Sequence, residues 1–360
     1  MKILFVITGM GMGGAENQVA LLVDKLSLLG HDVQLVSLIG SSIVTPKVNI
    51  PVHLLKLGKD PFSIFTTAKK LRAIVNTFKP DVVHSHMIHA NLMCRLVKPV
   101  CKMEKLICTA HSTQEGGRIL SFLYRITNPL CDVFTNVSKL AVKEFERNKV
   151  VKKNTMLCVY NGIDLDKFAY SESDRKKLRN ELELGDLKTF IAVGRFNPEK
   201  NYPLLIKSFH RVQQRYPNTS LIIVGDGPDR GTILELISTL NLKSKVKLLG
   251  VRRDVPSLLS ASDFFVLSSK WEGFGLVVAE AMSCKINVLA TDCGGVAEVL
   301  GGNGTLIDVN DEIQMESGMK RLLEVDEVAL KEDREKAYFF ISQHFSINKQ
   351  IERWLAIYRQ

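Results

Sequence analysis

Along the first half of the chain, short apolar and β-branched runs alternate with longer amphipathic stretches. The runs "KILFVIT", "DVQLVSL", "DVVHSH", "KLICTA", "DVFTNVS" and "TMLCVYN" read as strands, and the segments between them as helices. One such helix is predicted from Glu16 to Leu29, stopped by Gly30, which accepts the left-handed turn that ends helices. The pattern breaks at the polar stretch "NGIDLDKFAYSESDRKK" and resumes with "TFIAVGR", "SLIIVGDG", "KVKLLG", "DFFVLSS", "INVLATD" and "GTLIDV". Strand–helix alternation with crossover-length spacing predicts an α/β protein of two doubly wound, parallel-sheet lobes. Open sheets of this kind bind ligands at the carboxyl ends of their strands, so chemistry is expected at strand exits.

At 360 residues, 46 % hydrophobic and 24 % charged, the chain has the composition of a globular protein with two cores. No apolar run approaches the roughly 18 residues that a membrane span needs. No signal-peptide pattern follows Lys2, which sets the expectation of a cytosolic protein. The seven cysteines form no C-x-x-C pair and fit a reducing compartment; the seven-residue spacing of Cys94, Cys101 and Cys108 is read as coincidence. The net charge of +10 is one-sided: residues 1–165 hold 21 basic against 11 acidic residues, the remainder 27 against 27. Such a field attracts phosphorylated substrates, an anionic lipid surface or nucleic acid. Nucleic acid is the least supported, for no zinc knuckle, recognition helix or aromatic-interleaved basic strand is present.

Gly9, Gly11 and Gly14 satisfy G-x-G-x-x-G after the first strand. A dinucleotide fold also wants an acid at the end of the second strand, to hold the ribose. That strand ends in Ser37, Leu38 and Ile39, and Asp32 precedes it, so an NAD-dependent dehydrogenase is disfavoured. What remains is a helix N-terminus where Gly13 and Gly14 let a phosphate approach bare amides, or a tight turn. The second half is more specific. In "SSKWEGFGLVVAEAM" Glu272 lies at a strand exit, Gly273-Phe274-Gly275 turns, and Leu276 opens a helix carrying Glu280. Amides before a helix suit a diphosphate, and an acid among apolar neighbours suits the paired hydroxyls of a ribose; a surface acid balancing the helix dipole is the plainer reading. "VGRFNPEKN" sets Arg195 and Lys200 at another strand exit, two cations able to neutralise a diphosphate leaving group, and "VGDGPDR" adds Gly227 at a third.

The N-terminal glycine pair, "NGID", "VGR…EKN", "VGDGP" and Glu272-x7-Glu280 occur here in an order that resembles the retaining glycosyltransferases of family 4. The resemblance spans nearly the whole chain, and its most specific element is the Glu-x7-Glu block. It implies the GT-B fold: an acceptor-binding lobe at 1–166, a nucleotide-sugar-binding lobe at 167–342 across a cleft, and a terminal segment at 343–360 crossing back. For that return, Ile351, Trp354, Leu355 and Tyr358 lie at helical spacing. By matching position it implies Arg195 and Lys200 on the donor diphosphate, Glu280 on the ribose and Glu272 on the sugar hydroxyls. The backbone of Gly273, Phe274, Gly275 and Leu276, together with Gly227, would face the donor, and Gly13 and Gly14 would meet it from the other lobe. His111 in "CTAHS" matches the family's active-site histidine, although Ser112 follows it where the family often has Asp.

Two other motifs are discounted. Asp164-Leu165-Asp166 mimics the D-x-D metal motif but lies inside the inter-lobe signature. His84, His86 and His89 resemble a zinc cluster, yet acceptor contact or packing suits their place better. The resemblance implies front-face transfer with no cofactor and no metal. It also implies a UDP-sugar as the commonest donor, and a lipid-diphosphate-linked or other saccharide acceptor in O-antigen, capsule or exopolysaccharide synthesis. The basic groups Arg95, Lys98, Lys102 and Lys105, and Lys139, Lys143, Arg147, Lys149, Lys152 and Lys153, then suggest a lobe seated on anionic lipid at the cytoplasmic face. A nucleotide-sugar 2-epimerase of the same fold and a non-catalytic nucleotide-sugar-binding protein are the alternatives.

Overall fold

The computed structural model describes residues 1–113 and 115–360, with only the backbone of Ser41 and Ser42. The chain divides into two compact units, Met1–Gly162 with Ile347–Gln360, and Ile163–Ser346. In the first, strands β1 (Lys2–Met10), β2 (Asp32–Ser42), β3 (Val52–Leu54), β4 (Val82–His86), β5 (Lys105–Ala110), β6 (Val133–Asn136) and β7 (Met156–Cys158) form one parallel sheet ordered β3-β2-β1-β4-β5-β6-β7. In the second, β8 (Lys188–Val193), β9 (Thr219–Val224), β10 (Val246–Leu248), β11 (Phe264–Leu267), β12 (Asn287–Thr291) and β13 (Thr305–Ile307) are ordered β10-β9-β8-β11-β12-β13. Both sheets are doubly wound, as the alternation predicts. The order reverses between β1 and β4 in one and between β8 and β11 in the other, and ligands of open sheets settle at these switch points.

Side-chain alternation sorts the first core into two faces. Ile3, Phe5 and Ile7 of β1 join a cluster with Val19, Val23, Ile351, Trp354 and Tyr358, whereas Leu4 and Val6 point into the opposite cluster with Leu71, Val75, Met93 and Tyr124. The helix Ile347–Arg359 therefore belongs to the first unit's core, buried through Ile351, Trp354 and Tyr358 as its spacing predicts, with Ile347 and Ile357 in addition. Leu355 is only partly buried.

The expected breaks after 166 and 342 both fall inside the second unit, and backbone pairing explains the shift. The N–H of Ile163 donates to the carbonyl of Phe345 at 2.7 Å, and Ile163 bridges Ser346 in parallel. The outgoing and returning chains thus separate at Gly162 and Ile347. They pass so closely that a Cβ on Gly162 would stand 2.8 Å from the Ile347 Cα.

Candidate active site

In the second unit the exits of β8, β9, β11 and β12 meet at backbone distance. The N–H of Gly194 donates to the Val224 carbonyl and that of Phe196 to the Asp226 carbonyl, both at 2.9 Å. A side chain at Gly225, where φ is +141°, would meet the Gly194 carbonyl at 1.9 Å, and one at Gly227 the Phe196 carbonyl at 2.5 Å. The "VGR" and "VGDGP" turns are therefore packed main chain on main chain. Arg195 sits exposed between them.

Lys200 and Glu272 do not stand apart. Nζ of Lys200 donates to Oε1 of Glu272 at 2.5 Å, with both side chains largely shielded from solvent. The same carboxylate oxygen accepts from the Ser269 hydroxyl at 2.7 Å. Ser268 donates to the Lys200 carbonyl at 2.8 Å, and Thr291 donates to the Ser269 carbonyl at 2.7 Å. Three strand exits thus hold one ion pair in a fixed place, and a shielded pair with added hydrogen bonds is costly to break from one side. Beyond it, Gly275 at φ +89° starts the helix Leu276–Ser283, whose N-terminus no side chain caps. Phe274 is buried edge-on against Phe345, with ring centroids 5.4 Å apart, so its main chain is what the turn can offer a ligand. Burial pushes the Glu280 carboxyl up to about 7, opposed in part by the charge of Lys167.

The first unit carries a histidine cluster at the exits of β4 and β5. Nδ1 of His86 and Nε2 of His111 share a proton at 2.9 Å. Burial lowers His111 to about 4 and His86 well below the usual imidazole range, so the pair is uncharged at neutral pH. The His111 N–H donates to Glu115 Oε1 at 2.7 Å, and the Tyr124 hydroxyl donates to Oε2 at 2.7 Å. Asn91 bridges this group to the Thr109 carbonyl and the Tyr124 oxygen. Met87, just after β4, holds φ at +71°, an unusual conformation for a non-glycine residue and the kind of strain that collects at functional sites.

His84, one alternation back on β4, is tied to the end of the chain. Its Nδ1 pairs with the Tyr358 hydroxyl at 2.7 Å, its Nε2 with the Thr109 hydroxyl at 2.8 Å, and Trp354 packs on its ring at 4.4 Å between centroids. Tyr358→Phe leaves a buried ring nitrogen without a partner, a loss of about 1–3 kcal/mol. Urea unfolding of the variant measures it, and unchanged stability would show the bond to be dispensable.

The remaining expected residues resolve differently. Gly13 precedes the helix Gly14–Leu28 in extended conformation, at φ −167°, with no side-chain cap. A Cβ there would stand 2.5 Å from a Glu16 carboxylate oxygen, so an acid already lies against that helix end. His89 is exposed while His84 and His86 are buried, and no group of three metal-ligating side chains occurs among the described residues. Asp164 accepts from the Lys167 N–H at 3.2 Å, a local turn. Arg95 requires a correction. It is fully buried, stacked 4.4 Å from the centre of the Phe134 ring, and donates to the Tyr124 carbonyl at 3.1 Å. The guanidinium serves the core, and no basic surface includes it.

Two family models account for most of the chain: Glycosyltransferase Family 4 matches residues 12–167 and Glycosyl transferases group 1 matches residues 174–338. The chain belongs to the family 4 glycosyltransferases. This glycosyltransferase is 27 % identical over 369 residues to N-acetyl-alpha-D-glucosaminyl L-malate synthase of Bacillus anthracis, covering 98 % of this chain and 94 % of that one. It is 28 % identical over 345 residues to the Campylobacter jejuni N-acetylgalactosamine-N,N'-diacetylbacillosaminyl-diphospho-undecaprenol 4-alpha-N-acetylgalactosaminyltransferase, covering 91 % of each. Its fold is that of Anabaena HepE, solved in complex with UDP and glucose: TM-score 0.89 over 99 % of both chains, at 21 % identity. The GT-B architecture and the enzyme class implied by the sequence motifs both hold.

Proposed function

We propose that this glycosyltransferase moves a hexosyl unit from a UDP-sugar to a saccharide carried on a lipid diphosphate. It does so at the inner face of a bacterial plasma membrane, in surface-polysaccharide assembly, with retention and without a metal. The observation that supports the reading is the Lys200–Glu272 pair held at glycine-walled strand exits, with Arg195 in the turn after β8 and Glu280 on the helix that follows β11. Arg195 and Lys200 stabilise the departing diphosphate by charge, the office a metal ion fills elsewhere. Glu272 holds the sugar hydroxyls, fixed in direction by Ser269 and Lys200, and Glu280 takes the ribose hydroxyls. Gly227 and the amides of Gly273 to Leu276 contact the donor phosphates; in the first unit, the amides at Gly13 and Gly14 are assigned to phosphate or sugar contact. His111, neutral and braced by His86 and Glu115, contacts the transferred sugar. The acceptor oxygen bonds to the anomeric carbon on the face from which the diphosphate oxygen leaves, and its proton passes to that phosphate oxygen. The protein supplies position and charge. The UDP bound to HepE and the lipid-diphosphate substrate named for the Campylobacter relative support the choice of donor and acceptor.

Incubation with UDP-sugars and an undecaprenyl-diphosphate-linked saccharide tests the reading. The acceptor gains one hexosyl mass, UDP appears only when acceptor is present, and the new linkage keeps the donor's anomeric configuration. Acceptor-independent UDP release or an inverted product contradicts it.

Glu280 gives a pH signature. Its carboxyl, raised to about 7, is mostly protonated below that pH, and the ionised form is the better acceptor for two hydroxyls. UDP affinity therefore rises with pH by up to about tenfold per unit below 7 and levels off above it. Glu280→Gln removes that dependence. In the unliganded protein the sign is opposite: ionising a raised carboxyl costs stability as pH climbs from the ordinary carboxylate range through 7. Calorimetry from about pH 5.5 to about pH 8.5 reads the first effect.

A further inference from the structure

The helices Pro61–Phe78, Ile88–Val97 and Arg118–Thr127 follow β3, β4 and β5 and lie side by side on one layer of the first unit. Two features set them apart. None contains an Asp or Glu, whereas Lys69, Lys70, Arg72, Arg118 and Arg125 are exposed on them. The third helix also turns a large apolar ridge outward: Ile119, Phe122 and Ile126, at positions i, i+3 and i+7, are 77, 60 and 54 % exposed. Its opposite side, through Leu120, Leu123 and Tyr124, already packs on the core, so the ridge is surplus to folding. At the start of the first helix Phe62 and Phe65 are 75 and 67 % exposed. Contiguous apolar surface rimmed by charge marks an interaction site.

We propose that this face is a membrane-docking surface, in which Ile119, Phe122 and Ile126 enter the interfacial layer of an anionic bilayer while Arg118 and Arg125 bind its head groups. Charge complementarity selects the occupant. Three neighbouring helices without an acid, bearing five exposed cations, are matched by anionic lipid, and basic residues beside apolar ones are the pattern of helices lying in a membrane interface. A second copy meeting the first through the same face would set those cations against each other. The helices run from the strand exits, so Phe62, Ile119 and Phe122 lie toward the sheet edge that carries His111. Docking there would bring that edge to a lipid-borne acceptor. In this the proposal deepens the acceptor assignment, but its test uses no sugar.

The full chain is sedimented with phosphatidylcholine vesicles, with and without phosphatidylglycerol at about a third of the lipid. Binding is expected only with the anionic lipid. Ile119→Ser/Phe122→Ser should weaken it at least about tenfold, as loss of two buried apolar side chains requires. Arg118→Gln/Arg125→Gln should weaken it and flatten its salt dependence. Phe122→Trp should shift its emission to the blue on the anionic vesicles. All variants should keep the melting temperature and UDP affinity of the parent. The proposal is overturned if the parent ignores phosphatidylglycerol, if the serine variant binds like the parent, or if the parent is a dimer that the serine variant dissolves. Failure of UDP binding in the parent would instead strike the donor assignment and leave this one standing.

Discussion

Replacing Arg195 and Lys200 together by alanine is expected to lower kcat by about three to five orders of magnitude, since removal of one group that stabilises developing charge costs about a hundred- to a thousandfold. Paired losses at one site are not additive, so the double variant falls short of the product of the singles. The two positions differ in a way the geometry makes explicit. Arg195 is exposed, and its loss should act on turnover with little effect on stability. Lys200 is bonded to Glu272 at 2.5 Å in a shielded setting, so Lys200→Ala strands a carboxylate and should also destabilise the protein. Lys200→Met combined with Glu272→Gln removes both charges and restores the melting temperature but not transfer. If that pair of changes restored transfer as well, the ion pair would be structural only.

Gly294→Ala should damage both stability and donor binding through a single methyl group. Gly294 holds φ at +58°, and a Cβ there would stand 1.8 Å from the Glu272 carbonyl. The left-handed conformation alone costs an alanine about 1–2 kcal/mol. Relief of the overlap moves the backbone that carries Glu272 and costs about 1–3 kcal/mol more. Together these lower the melting temperature by about 5–15 °C for a unit of this size, and they weaken UDP-sugar binding because Glu272 moves. Gly231→Ala is the control: in the helix Arg230–Thr239 its Cβ meets nothing within 4 Å, and its melting temperature should hold or rise. Equal behaviour of the two variants would mean that the β12 exit does not brace Glu272.

What could be read from the sequence was local. The strands and the Arg195, Glu272 and Glu280 turns are each written in fewer than about twenty consecutive residues, where periodicity and glycine placement act directly. The three-residue edge strand Val52–Leu54 went unpredicted because it is too short to show a period. The Tyr358 bond to His84 joins residues 274 apart, and no local pattern announces it. Arg95 misled for a related reason: charge in a sequence suggests surface, and only the fold brings the Phe134 and Tyr124 rings and the carbonyl that bury it. The brace of Glu115 on His111 and the strained Met87 were likewise invisible, since their meaning depends on which strand ends stand side by side. The spacing of Lys200 and Glu272 suggested separate tasks. Their hydrogen bond makes them one unit, whose two charges are set before any donor arrives.

Calorimetric titration of the purified chain with UDP and with UDP-hexoses tests the grip on the donor most directly. The account predicts one site per chain that binds UDP itself and is lost when Arg195 and Lys200 are both alanine. Absence of binding to any nucleoside diphosphate or its sugar, or undiminished affinity in the double variant, would contradict it.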